Sequence, residues 1–84
     1  MSTNNLVKMA NQIGSFFATM QDHEQALSSI AGHIKRNWDP RMRNALLEHV
    51  AQTGGTDLSP IALEAVNAHR ASLAANANTP AATA

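Results

Sequence analysis

The chain has 84 residues, six basic and six acidic side chains for a formal charge of zero, and no cysteine. That length bounds it to one domain, and the neutral balance argues against a general nucleic-acid or membrane-surface binder. Missing thiols exclude disulfides, thiolate zinc sites and cysteine-held iron–sulfur clusters.

No charged-then-apolar signal pattern opens the sequence, and no run nears the roughly 20 apolar residues of a membrane helix. The expectation is a cytoplasmic chain with no membrane partner. A core this small and without disulfides gains from a second protein surface, which points toward a subunit.

Four helical segments are legible, and no strand pattern competes with them. The first is predicted over residues 4–20, with Thr3 or Asn4 as its cap. Leu6, Met9, Ala10, Ile13, Phe16, Phe17 and Met20 form its apolar stripe, and Lys8, Asn11 and Gln12 lie opposite. Asp22 caps the second, with Gln25 completing a capping-box pattern. Leu27, Ile30, Ala31, Ile34 and Trp38 are its inner face.

A residue before proline avoids the helical region, so the second helix should end near Asn37 or Trp38. Asp39 then caps a third helix whose first position is Pro40. Its inner face is Met42, Ala45, Leu46, His49 and Val50, and Gly54-Gly55 ends it. Ser59-Pro60 repeats the cap-then-proline device and opens a fourth helix to about Leu73, with the thinner stripe Ala62, Ala65, Val66, His69, Leu73. From Ala74 the chain is Ala, Asn, Thr and one Pro80. The expectation is therefore an all-α bundle of three to four short helices over residues 1–73, with a disordered tail over 74–84.

Catalysis finds little footing. No nucleophile motif is present, and His23, His33, His49 and His69 lack the i, i+3 or i+4 spacing of a helical metal site. Gly54-Gly55 is not followed by the Lys and Ser/Thr of a phosphate loop.

The informative stretch is residues 35–43, which holds four of the six Lys/Arg residues and the only Trp. Arg36 complements the end of the second helix, but Arg41 and Arg43 oppose the positive start of the third. Local rules tend to be broken where function demands it. His33, Lys35, Arg36, Trp38, Asp39, Arg41 and Arg43 are thus the candidate partner- or anion-binding residues. The plainer alternative pairs Arg41 and Arg43 with Asp39, Glu48 or Asp22, and leaves Trp38 in the core. Gly14 and Gly32, both within helices, are candidate sites of close packing.

The run Lys8-Met9-Ala10-Asn11-Gln12-Ile13-Gly14, followed by Phe16-Phe17, resembles the delta subunit of cytosolic NAD-dependent, molybdenum- or tungsten-containing formate dehydrogenases. So do Ile30-Ala31, His33-Ile34, Arg36 and Trp38-Asp39-Pro40-Arg41-Met42-Arg43. The resemblance spans roughly residues 5–50, with a looser match through Leu58-Ser59-Pro60. Asn37 stands where that family often has Phe, and Met20-Gln21-Asp22 lacks its proline.

This resemblance implies a non-catalytic accessory subunit that stabilises the large alpha subunit or assists cofactor insertion, and that binds no cofactor by itself. The complex would oxidise formate to carbon dioxide with reduction of NAD. Its alpha subunit would hold bis-molybdopterin guanine dinucleotide and iron–sulfur clusters, and its beta and gamma subunits FMN, NAD and further clusters. The rival readings are a small helical nucleic-acid-binding or other protein-interaction module, and an independent enzyme.

Overall fold

The structure, a computed structural model, describes residues 2–74. Except for Ala74, the tail expected over 74–84 lies outside the described residues. The described residues form an all-α bundle in the order α1 (Thr3–Phe17), α2 (His23–Asn37), α3 (Pro40–Thr53), α4 (Pro60–Ala68) and α5 (Arg70–Leu73). Among them no helix is long and apolar enough to cross a membrane.

Local chemistry places most of the boundaries. The Asp22 carboxylate accepts the Gln25 N–H at 3.2 Å, and that of Asp39 accepts the Met42 N–H at 3.0 Å. The Trp38 N–H closes α2 on the Ile34 carbonyl, after which Trp38 and Asp39 run extended, for Asp39 the conformation favoured by the Pro40 that follows it. Gly54, at φ +82°, ends α3 in the left-handed region.

Two expected boundaries move. Ser2, not Thr3 or Asn4, caps α1 by accepting the Asn5 N–H. The same helix stops at Phe17, short of Met20, where the Thr19 hydroxyl donates to the Phe16 carbonyl. The fourth segment is also interrupted. His69 leaves helical geometry at φ −117° and ψ 27°, and the short α5 beyond it packs on α2 and α3 with Leu73 buried.

The core is built around α2, which packs against α1, α4 and α5. Its whole stripe is buried (Leu27, Ile30, Ala31, Ile34 and Trp38), and Leu6, Leu46, Val66 and Leu73 close around it. The stripe of α1 is corrected by packing. Its buried residues are Leu6, Val7, Ala10 and Gly14, while Met9 and Phe16 face outward. Gly14 is the reason. A Cβ there would stand 3.2 Å from Ile61 Cγ2 and 3.3 Å from Ala62 Cβ, so α4 lies against the bare backbone. Turning toward α4 carries the opposite edge of α1 into solvent.

Asn11 follows the same rotation and is half-buried instead of solvent-facing. Its side chain accepts the Ser59 N–H at 2.7 Å and donates to the Asp57 carbonyl at 3.1 Å. These two bonds hold the loop between α3 and α4 to α1.

Candidate functional site

The basic stretch occupies the end of α2 and the first turn of α3, and its cations have different neighbours. Lys35 Nζ lies 3.4 Å from the Ser72 hydroxyl of α5. Arg36 folds back over Gly32, where a Cβ would come 3.1 Å from its Nη1. Gly32 therefore seats a side chain of its own helix, and no other helix approaches it among the described residues. Arg41 is exposed and lines a cleft against α1. Arg43 is half-buried, and its Nε is covered without a hydrogen-bond partner.

Among the described residues, no Lys or Arg forms an ion pair. The plainer alternative for Arg41 and Arg43 therefore fails. Asp39 is engaged with the Met42 N–H, and neither Glu48 nor Asp22 pairs with an arginine. Two carboxylates, Glu64 and Asp57, are instead taken by histidines. His23 Nε2 lies 2.9 Å from Glu64 Oε1, and His49 Nε2 lies 3.0 Å from Asp57 Oδ2. The bond to Glu64, then the negative charge of that group, raises the His23 pKa above its ordinary value. The bond from His49 holds Asp57 below the usual carboxylate range.

Trp38 is buried at 5% exposure, so its indole is part of the core that supports the stretch. His33 is half-buried, with its ring 6.2 Å from that of Phe17. Of the two candidate glycines, Gly14 alone meets another helix at close range.

Two open clefts border α1. One, of about 570 Å³, is lined by Asn5, Leu6, Met9, Asp39, Arg41 and Met42. The other, of about 300 Å³, is lined by Gln12, Ile13, Phe16, Phe17 and His33. Phe16 is 73% exposed and Met9 38%. Sequence reasoning assigned both residues to the core. Their outward position depends on the rotation set by Gly14, and the available signal was a stripe on α1 broader than its neighbours could cover.

The donor set does not fit a metal or cluster. The chain has no cysteine, and the described residues contain no group of three His, Asp or Glu able to hold an ion. What the surface offers is arginines without ion pairs among the described residues, beside exposed apolar side chains.

Residues 5–66 match the family model described as NADH-dependent formate dehydrogenase delta subunit, FdsD. No curated protein and no solved structure is significantly similar to the chain.

Proposed function

Because the chain belongs to the FdsD family of formate dehydrogenase delta subunits, we propose that it is an accessory subunit that stabilises the molybdopterin-binding large subunit of such a complex, assists its cofactor insertion, or both. The family is one of non-catalytic accessory subunits. In this reading formate oxidation and NAD reduction belong to the other chains. The molybdenum cofactor, FMN and NAD belong there too in this reading, as do the iron–sulfur clusters, for which this cysteine-free chain has no thiolates. The assembly works in the cytoplasm, with beta and gamma subunits joining the large one.

The family match carries the reading, and the unpaired arginines support it. Among the described residues, Arg36, Arg41 and Arg43 have no carboxylate partner. A partner carboxylate, or a cofactor phosphate exposed during loading, would satisfy them with charge-assisted bonds. Stabilisation then follows from mass action, because a chain that binds only the folded or loaded partner shifts the equilibrium toward it.

The test is co-expression of the remaining subunits with and without this chain, followed by intact-mass measurement and metal analysis. The chain is expected to co-purify, and its omission to lower the yield of assembled complex or its molybdenum content. Full assembly and full metal content without it would overturn the reading. Joint Arg41→Glu and Arg43→Glu substitution tests the arginine contact, which fails if assembly and molybdenum content stay unchanged.

A further inference from the structure

Among the described residues, none covers the outer edge of α1, where Asn5, Met9, Gln12 and Phe16 are exposed. These four residues follow one another at helical spacing and form a ridge that borders both clefts, the first along its N-terminal half and the second along its C-terminal half. From Met9 to Phe16 this ridge runs about 10 Å at the usual helical rise. Leu6, Met9 and Met42 give the first cleft an apolar lining, and Ile13, Phe16 and Phe17 do so for the second. Two apolar clefts in line beside one helical ridge suit a second helix laid along them.

Charge selects the occupant. Helix α1 contains no Asp or Glu. Across both clefts the single lining carboxylate is Asp39, which is held by the Met42 N–H of its own helix. Among the described residues Arg41 stands over the first cleft without ion pair or hydrogen bond, and His33 borders the second. A second copy of this chain is a poor fit. In a twofold pair the carboxylate the clefts would offer Arg41 is Asp39, which is already engaged as the cap of α3.

We infer that this edge docks an acidic amphipathic helix of the partner subunit, with apolar side chains against Met9 and Phe16 and a carboxylate on Arg41. The inference rests on the accessory-subunit reading and deepens it by naming the face and the chemistry of the segment it receives. Phe16 is the central anchor, because aromatic side chains enclosed on binding carry a disproportionate share of affinity.

The experiment titrates the full-length chain onto purified formate dehydrogenase complex prepared without it, in low and high salt. Phe16→Ser is expected to weaken binding by roughly 30-fold or more, the scale of an interface hot spot. Arg41→Glu should weaken it by a similar factor and flatten its salt dependence. Glu24→Lys, in the first turn of α2, should bind as the unsubstituted chain does. Circular dichroism melts check that the exposed substitutions leave the fold intact.

If the unsubstituted chain fails to bind, the accessory reading falls and this inference with it. If it binds while Phe16→Ser and Arg41→Glu bind equally well, only the inference falls. Self-association that Phe16→Ser abolishes would give the face to a second copy and overturn the inference as well.

Discussion

Two helices of this chain begin with the same device, a residue able to cap followed by proline, and the two starts are used in opposite ways. At Asp39-Pro40 the carboxylate caps α3 through the Met42 N–H, and the turn beyond presents Arg41 to solvent. At Ser59-Pro60 the hydroxyl makes no cap bond, and its oxygen is buried without a partner. Asn11 instead secures the backbone there, and Gly14 lets α4 close onto α1. A local signal can say where a helix begins. Its surroundings decide whether that beginning is fastened inside or offered outside.

The widest test of this contrast is Gly14→Leu. A side chain larger than Cβ must displace Ile61 and Ala62, which already stand 3.2 and 3.3 Å from the Cβ position. Overpacking of this kind costs about 1–3 kcal/mol, and more when backbones must part. The expected loss is therefore about 3 kcal/mol in urea unfolding. A loss below about 1 kcal/mol would mean that α4 can move away freely, and that the inward start is not sealed as described.

Asn11→Ala removes both bonds to the loop before α4 and should cost about 1–2 kcal/mol, since two backbone groups lose their partner. The capping residues sharpen the comparison further. Asp39→Ala should cost about 1 kcal/mol, the usual value of a working cap. Ser59→Ala should cost about zero or stabilise slightly, because it deletes a buried hydroxyl that bonds to nothing. Equal losses for the two would erase the distinction between the starts.

These cases also separate what could be read in the sequence from what could not. Asp22, Asp39, Pro40 and Gly54 act through neighbours one to four residues away, and each does what the sequence predicts. The inner face of α2 was legible because it is surrounded by α1, α4 and α5, so that its whole apolar stripe is covered. The face of α1 was not. Its rotation depends on the approach of α4 to Gly14, and a glycine adds nothing to a hydrophobic stripe. Asn11 looked like a surface residue because its partners are 46 and 48 positions away. The basic stretch was legible as a concentration of charge. Its lack of ion pairs among the described residues was not, because whether Arg41 and Arg43 reach Asp39, Glu48 or Asp22 depends on how the helices pack.

A small and pH-dependent effect concerns the two histidine pairs, which tie elements of the bundle together while no arginine forms an ion pair among the described residues. His23 joins the first turn of α2 to Glu64 of α4 at 2.9 Å. The bond to Glu64 raises the folded pKa above 6.5, so the folded chain binds more protons than the unfolded one as pH approaches that value. The stabilisation is complete below about pH 6.5 and is lost as pH rises through the raised folded value. Asp57 behaves oppositely. Its folded pKa lies below 3.8, so its contribution is present above about that pH and is lost as pH falls through the folded value. Both pairs are solvent-accessible, which keeps the effects small. The thermal midpoint of His23→Gln should lie below that of the unsubstituted chain at about pH 5.5, and the gap should narrow toward about pH 8.5. A gap independent of pH would mean that the histidine does not fasten α2 to α4 through its charge, and the contrast between paired histidines and unpaired arginines would lose its energetic basis.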